Sequence, residues 1–406
     1  MNTGVEARIT EVMCASYGRL LAILSARASD IAGAEDALAD ALARALDHWP
    51  RTGIPDQPEA WLLTTARRRL IDMRRKAARV DPCDALPEEP ATAADPHEAI
   101  PDERLKLMFV CAHPAIDPAL HTPLMLQTVL GLEADRIGAA FLISPNAMAQ
   151  RLVRVKRKIK AARIPFRLPD EATEPNRLTA VLEAIYGAFS LDWLSVGGPD
   201  DLRQEAAYLA TLAAHLSAPD PEALGLQALI CFVIAREPAR LRDGMLVPVP
   251  EQDTALWDTS LIDQAAHLLT RAAQAKRMGR FQLEAAIQSV HAARAVSGQT
   301  DWRALSQLYA GLRQLYPTVG AAVSHAAAVG EDAGPVQGLA LLDQIAPEAV
   351  AGFQPAWAVR AHLLARSGDV SQAATAYDRA IVLATDVPSR RWLEERRMAI
   401  LAARVI

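Results

Sequence analysis

Apolar residues recur at intervals of three and four along most of this chain, and this spacing limits what the chain can fold into. The interval is regular near the N-terminus, at Leu20, Leu21, Leu24, Ala34, Leu38, Leu42 and Leu46. It places apolar side chains on one face of an α-helix. Runs of alternating β-branched and aromatic residues, typical of strands, are few, and aromatic residues make up only 5% of the chain. We therefore predict an all-α protein.

The size of the chain allows more than one domain. Its 406 residues are 51% hydrophobic, which is enough for two or three domains with real cores. Nothing at the N-terminus resembles a signal peptide, and the longest apolar stretches are shorter than the roughly 20 residues that span a bilayer. We expect a cytoplasmic protein that has no membrane partner.

Two segments without apolar periodicity divide the sequence. Residues 81–103 are rich in Pro, Ala and acidic residues, and residues 163–175 contain three prolines, which interrupt helical hydrogen bonding. Proline and glycine also predict a loop at His48–Trp61. The predicted organisation is a helical bundle at 1–80, a linker at 81–100, a helix-turn-helix domain at 101–168, and an array of helical hairpins at 175–406.

A strongly basic helix is predicted at the end of the second block. From Arg136 to Pro169 the chain has nine basic residues and no acidic one. The spacing puts an apolar face on one side, formed by Met148, Leu152, Val155 and Ile159. The opposite face carries polar and basic side chains, namely Gln150, Arg151, Arg154 and Lys158. One face is therefore expected to pack while the other is free to meet an anion.

The residues before this helix predict a tight turn. Ser144 is placed to cap the helix, and Pro145 suits its first position because the missing N–H costs nothing there. Two helices joined by such a turn form a helix-turn-helix, whose second helix enters the major groove of DNA. We expect Ser144, Asn146, Ala147, Gln150 and Arg151 at or near base edges, and Arg154 and Lys158 at phosphates.

A second basic cluster lies in the first block. Residues 67–79 contain seven basic side chains, and Asp72 is the one acidic residue among them. From Met1 to Pro169 the chain carries a net charge of +2, whereas the remainder carries -7. Two basic helices joined by an acidic linker predict two modules that hold one nucleic acid at separated places.

These segments resemble bacterial sigma factors of the extracytoplasmic-function (ECF) group. AEDALADALARALDHW (34–49) is similar to the region 2 helix that docks on core RNA polymerase. PEAWLLTTARRRLIDMRRK (58–76) is similar to the helix that reads the minus-ten element of promoter DNA. ADRIGAAFLISPNAMAQRLVRVKRKIKAA (134–162) is similar to the region 4 helix-turn-helix that reads the minus-thirty-five element.

The resemblance implies a role for individual residues. The positions that match the polymerase-docking helix are Asp36, Leu38 and Asp40. The positions that match the minus-ten helix are Trp61, Arg67, Arg68, Asp72, Arg74 and Arg75. For Trp49 and Trp61 we favour a place in the core over base stacking.

The C-terminal segment exceeds the length of typical ECF sigma factors. Residues 355–384 carry Trp357, Gly368, Ala373, Tyr377 and Ala380 at the spacing of a tetratricopeptide repeat. Residues 263–295 and 301–330 keep the rhythm of two helices without this signature. The whole resembles the ECF subgroup with a long tetratricopeptide-like extension, which implies a protein partner for that extension.

The helix at Asn176–Leu194 carries an apolar stripe, and two places for it stay open. The stripe comprises Leu178, Val181, Leu182, Ile185, Phe189 and Trp193. It packs either on the N-terminal modules or wholly within the extension.

Catalytic motifs are lacking, since the sequence has no phosphate-binding glycine loop, nucleophile elbow or metalloprotease helix. The four cysteines lack paired metal-ligand spacing, and Cys111 with His113 supplies only two candidate ligands. We expect no enzyme activity, no cofactor and no metal. Two rival functions remain, a helix-turn-helix regulator that binds DNA without polymerase and a repeat scaffold that contacts nucleic acid incidentally.

Overall fold

The computed structural model describes residues 3–80, 100–168, 175–194, 201–216 and 220–402. The chain forms two compact units. The first comprises Met1–Trp193 with Pro199–Ala213, and the second comprises Leu194–Gly198 with Ala214–Ile406. The predicted linker at 81–100 lies outside the described residues, apart from its last residue, which begins a helix.

An N-terminal bundle opens the first unit. Its helices are α1 (Thr3–Ala28), α2 (Ile31–Thr52) and α3 (Pro58–Val80). Leu20, Leu21 and Leu24 are fully buried among apolar residues of all three helices, as their spacing predicts. Asp30 starts α2 by accepting a hydrogen bond from the Gly33 amide at 3.1 Å.

The loop predicted at His48–Trp61 is shorter than expected. Helix α2 continues through Pro50 to Thr52, and α3 begins at Pro58, so only residues 53–57 connect them. Pro50 stands in the last turn of α2. Because proline has no N–H, the helix loses one hydrogen bond there, and only two more residues of the helix follow. Pro58 occupies the first position of α3, which favours proline.

The second module of the first unit contains four helices and packs along α1. They are α4 (Ile100–Cys111), α5 (His121–Thr128), α6 (Ala134–Ala140) and α7 (Pro145–Ala161), with a short 3-10 turn at Pro118–Leu120. Helix α4 packs beside α1. A Cβ built on Gly18 of α1 would lie 1.7 Å from the Val129 carbonyl oxygen after α5, so only glycine permits this approach.

Two helices beyond the predicted domain boundary belong to this same unit. They are α8 (Pro175–Leu194) and most of α9 (Asp201–Leu216). Val181, Leu182, Ile185 and Phe189 of α8 are buried. The compact unit that contains the N-terminal modules thus also contains α8, which agrees with the first of the two places left open for its apolar stripe; the Trp193 side chain lies outside the described part of the chain.

The second unit is built from further helices and one small hairpin. The strands are β1 (Leu241–Arg242) and β2 (Met245–Leu246), which pair antiparallel. The helices are α10 (Pro221–Ile234), α11 (Thr259–Gln274), α12 (Arg280–Ala292), α13 (Arg294–Ser297), α14 (Trp302–Leu315), α15 (Val319–Asp332), α16 (Pro335–Leu342), α17 (Pro347–Val350), α18 (Gln354–Arg366), α19 (Val370–Leu383) and α20 (Val387–Ala402). The all-α prediction is confirmed for the residues that the structure describes, among which this hairpin of two short strands is the exception.

Within the described residues, no single helix has the length and apolarity needed to cross a membrane. One pair of helical segments joined at a bend, Gly4–Met13 and Ser16–Ala28, does meet these two criteria when taken together. Its apolar side chains, including Val12 and Leu20, belong to the core of the N-terminal bundle.

Candidate nucleic-acid and polymerase interface

Helix α3 is fixed to the bundle by its first turns. The Trp61 ring meets the Trp49 ring edge to face at 5.5 Å between centroids and stacks on His48 at 6.0 Å. Trp49 is 1% exposed, and Trp61 is partly buried against the same core. Both tryptophans therefore contact the core, which agrees with the place in the core that we favoured.

The later turns of α3 carry the predicted minus-ten residues on the surface. Arg68, Asp72 and Arg75 are exposed. Arg74 is exposed as well, and its Nη2 donates to the Arg27 carbonyl at 2.6 Å. Arg67 is half-buried, and burial, with Arg27 nearby, lowers its pKa. Four of the predicted side chains thus reach solvent, while Arg67 lies against the bundle.

The three predicted polymerase-docking residues of α2 lie in different environments. Asp36 is exposed, and Asp40 is half-buried with Oδ2 at 3.3 Å from both Arg44 and Arg69. Leu38 is 1% exposed and belongs to the bundle core. The prediction for Leu38 is corrected, because the helical period that aligns it with Ala34 turns its side chain inward and away from any partner.

Helices α6 and α7 are joined by the four residues 141–144, a length that a helix-turn-helix requires. The Ile143 amide donates to the Gly138 carbonyl at 2.8 Å, and a Cβ on Gly138 would lie 2.6 Å from the Ile143 carbonyl oxygen. Leu142 takes φ of 54° to close the turn. Ser144 holds the capping position before Pro145, but its side chain makes no capping hydrogen bond.

The two faces of α7 lie as predicted. The apolar face is buried, with exposures of 0% for Met148, 1% for Leu152, 7% for Val155 and 1% for Ile159. The predicted DNA-reading residues are exposed except Ala147, which is half-buried; the exposed ones are Ser144, Asn146, Gln150, Arg151, Arg154 and Lys158. Arg154 Nε donates to the Gln150 carbonyl at 3.3 Å. The polar face is therefore accessible in the described structure.

Lys156 is the feature of α7 that sequence reasoning missed. It is 5% exposed, and its Nζ lies 2.6 and 2.7 Å from the two carboxylate oxygens of Glu35 in α2. Lys160 Nζ lies 2.8 Å from Asp30 Oδ2. The signal was present, since Lys156 follows Leu152 by four residues and precedes Ile159 by three, which places it on the apolar face.

The early helices of the C-terminal segment hold α4 through two buried arginines. Arg177 of α8 is 6% exposed, and its Nε donates to the Phe109 carbonyl at 3.1 Å. Arg104 of α4 pairs with Glu205 of α9, and its guanidinium lies 4.6 Å from the centre of the Tyr208 ring. These contacts attach α8 and α9 to the second module.

The repeat-like segment of the second unit forms a close helical hairpin. Helices α18 and α19 are joined by three residues, a length that makes neighbouring helices antiparallel. Ala361, Ala373 and Ala380 are buried between them, and Tyr377 is 2% exposed. The small side chains of these three alanines thus allow α18 and α19 to pack closely.

A second cluster in this unit surrounds Trp257. The guanidinium of Arg294 lies 5.1 Å from the centre of its ring and that of Arg236 lies 6.0 Å away. Burial lowers the pKa of Arg236 to about 10 and that of His291 to about 3. Arg294 also donates to the Val249 carbonyl at 3.1 Å, so the cluster ties the segment after the β-hairpin to α13.

Cys111 and His113 make contacts with neighbouring residues of the second module. Cys111 is buried with its sulfur 3.5 Å from the Thr128 hydroxyl, and burial raises its pKa to about 12. His113 Nδ1 accepts a hydrogen bond from the Ala115 amide at 3.1 Å. Among the residues that the structure describes, no three His, Cys, Asp or Glu side chains are grouped to hold a metal ion.

Comparisons with known proteins match two parts of the chain. Sigma-70 region 2 matches residues 15–80, and a Family of unknown function (DUF6596) matches residues 177–273. The chain is 36% identical over 376 residues to "Uncharacterized protein R00370" of Rhizobium meliloti (strain 1021), covering 89% of this chain and 88% of that protein. No solved structure matches the chain.

The region 2 match falls on the N-terminal bundle from the middle of α1 to the end of α3. The second match starts at the beginning of α8 and ends in α11. The chain belongs to the family of the Rhizobium meliloti protein, and its region 2 bundle with its DUF6596 segment fits a sigma-70-family factor that has a role in RNA polymerase binding.

Proposed function

We propose that this chain is an ECF-type sigma factor that binds core RNA polymerase and directs it to promoters in the cytoplasm. It performs no chemistry, because the polymerase supplies the active site. The observation that carries the proposal is the coincidence of the region 2 match, residues 15–80, with a closed bundle of three helices. A basic helix of that bundle exposes Arg68, Arg74 and Arg75 for the minus-ten element.

Helix α7 supports the proposal from a second position in the chain. Its exposed residues divide by distance from the turn. Asn146, Gln150 and Arg151 lie in the first turns, where a recognition helix contacts base edges. Arg154 and Lys158 lie in later turns, from which they contact phosphate groups of the DNA backbone. We assign the minus-thirty-five element to this helix.

The second unit is assigned a regulatory or recruiting role. Its helical hairpins, such as α18 with α19, are of the kind that present surfaces to proteins rather than to nucleic acid. Its partner is therefore expected to be a protein.

Binding to core RNA polymerase tests the proposed function. The purified chain should be retained by immobilised core polymerase and should give discrete run-off transcripts with core polymerase on genomic fragments. Core polymerase alone is the control and should give none. If the chain instead binds one specific DNA site with nanomolar affinity without polymerase, and polymerase does not retain it, the stand-alone regulator is the correct function.

The division of α7 into base-reading and phosphate-contacting residues gives a separate prediction. Arg151→Ala should weaken binding by about 1 to 3 kcal/mol at promoters with the native upstream base pair and little at promoters where that pair is changed. Lys158→Ala should weaken binding to all promoters alike. It should also reduce the slope of log affinity against log salt concentration by about one, because one fewer counterion is released. Titrations of the polymerase complex on native and altered promoters measure both, and equal losses across altered promoters would contradict the assignment.

A further inference from the structure

Two arginines inside the second unit lack a negatively charged partner. Arg236, which follows α10, is 5% exposed, and Arg294, which begins α13, is half-buried. Within the part of the chain that the structure describes, all the hydrogen-bond acceptors of the two guanidinium groups are uncharged. Arg236 Nη2 donates to the side-chain oxygen of Gln288, and Arg294 Nη2 donates to the Val249 and Gln252 carbonyls. Two positive charges are thus held there without a carboxylate.

A buried charge without a countercharge is unfavourable, because it has lost its hydration and gains no ion pair in return. Arg104 of the first unit shows the usual arrangement, since it is also buried and pairs with Glu205. The face of the Trp257 ring attracts the guanidinium groups of Arg236 and Arg294, but the ring carries no net charge. The negative charge that would balance these two arginines has to come from outside the described residues.

Buried nitrogen atoms in the same cluster also lack hydrogen-bond partners among the described residues. They are Nε and Nη1 of Arg236, Nε of Arg294 and Nδ1 of His291. Buried polar atoms in proteins are nearly always hydrogen-bonded, and a bound ion is one explanation for an exception. His291 adds no charge, because burial and the two nearby arginines lower its pKa to about 3. The cluster therefore combines two positive charges with N–H groups that have no acceptor in the protein.

We propose that Arg236, Arg294 and His291 form a binding site for a phosphate dianion, either the free ion or the phosphate group of a small phosphate ester. Arginine suits this ligand because its planar N–H groups match the oxygens of a phosphate. A dianion balances two guanidinium groups, and its oxygens accept hydrogen bonds from several donors at once. The site lies wholly in the second unit, so the proposal does not depend on the assignment as a sigma factor.

The segment from Val249 to Trp257 lies against the cluster. Arg294 donates to two carbonyls of this segment, and the Trp257 indole donates to the Gln252 side chain at 3.2 Å. Because the unpartnered nitrogens are covered, phosphate reaches them only when a neighbouring segment moves. Glu251 of this segment lines a cavity of about 330 Å³ beside α20, so part of the segment has space into which it can move.

Calorimetric titration of the full chain with inorganic phosphate, in chloride buffer at constant ionic strength, tests the site. One phosphate should bind per chain. Arg236→Met should weaken this binding at least about tenfold, because the variant loses both a charge and the unpartnered donors. Arg271→Met, at an exposed position of α11 in the same unit, is the matched control and should bind as the native chain does. Absence of binding by the native chain, or equal binding by Arg236→Met, would overturn the proposal.

The basic face of α7 needs its own control, because exposed basic helices also attract phosphate. Arg154→Ala removes one exposed cation from that face and should leave the titration unchanged. If Arg154→Ala loses the binding and Arg236→Met keeps it, the phosphate binds to α7 and the proposed site is wrong.

Thermal unfolding separates a ligand site from an arginine that has only a structural role. Phosphate should raise the unfolding midpoint of the native chain, because a ligand that binds the folded state stabilises it. Phosphate should not raise the midpoint of Arg236→Met, and an equal rise in both chains would contradict the site. If Arg236→Met does not fold, Arg294→Lys is titrated in its place. That variant keeps the charge but loses the planar donors, and it should bind phosphate at least about threefold more weakly.

Glycerol phosphate, a small phosphate ester, distinguishes the two sources of the phosphate group. Tighter binding of the ester than of inorganic phosphate would assign the site to a phosphorylated small molecule. Binding of inorganic phosphate without binding of the ester would assign it to the free ion. Either result, lost in Arg236→Met, confirms the phosphate site, whereas binding of neither compound overturns it.

Discussion

A chain that ends at Leu168 should lose the cooperative unfolding of its helix-turn-helix module, whereas a chain that ends at Leu216 should keep it. The shorter chain lacks α8 and α9, which contribute to the first unit rather than to a separate extension. Among the buried side chains that it loses are four large apolar ones of α8, namely Val181, Leu182, Ile185 and Phe189. At about 1.5 to 3 kcal/mol each, their burial is comparable with the entire stability of a domain, about 5 to 15 kcal/mol.

Thermal unfolding followed by circular dichroism measures the effect of truncation. A point variant isolates one contact of the same junction. Arg177→Ala leaves the buried Phe109 carbonyl without this donor, which should cost about 1 to 3 kcal/mol, and Arg136→Ala, at an exposed position, is the control. If the chains ending at Leu168 and Leu216 unfold at the same temperature, α8 and α9 do not support the module.

Gly18→Ala should lower the free energy of unfolding of the first unit by about 3 kcal/mol, the upper end for overpacking. The new methyl would lie 1.7 Å from the Val129 carbonyl oxygen, and a backbone atom cannot move aside as a flexible side chain can. The midpoint temperature for unfolding of the first unit should then fall by about 6 to 12 °C, as expected for a unit of this size.

The matched control for Gly18→Ala lies in the same helix. A Cβ on Gly4 would meet nothing within 4 Å, so Gly4→Ala should be neutral or stabilise α1 by at most about 1 kcal/mol. Calorimetry of the two variants beside the native chain measures the difference. Equal midpoints for all three chains would show that α1 and the segment after α5 do not pack as closely as described.

Helices and their faces were predictable because they depend on neighbours in sequence. The spacing of Met148, Leu152 and Ile159 predicts which side of α7 is buried, and the structure agrees. Pro145 placed the start of α7, whereas α3 begins at Pro58, inside the segment that was predicted to be a loop. Loop length was less predictable, because Pro50 is tolerated in the last turn of α2 and the sequence does not say where that helix ends.

The candidate site was predictable in part. Arg151, Arg154 and Lys158 are exposed as expected, because they lie opposite the apolar face of their helix. Leu38 was misplaced, because similarity to a docking helix assigns a role to a position without stating which way its side chain turns. The helical period of α2 carried the correct answer and overrides the resemblance at this residue.

The sequence by itself determined the helical class, the amphipathic basic helix α7 and the resemblance to sigma factors, since each depends on residue spacing over one or two helices. Only the tertiary structure decided that α8 and α9 complete the first unit and that Lys156 meets Glu35. That pair joins residues 121 positions apart, and periodicity contains no information about such contacts. A buried charge is stable only beside its partner, so the burial of Lys156 depends on how α7 meets α2.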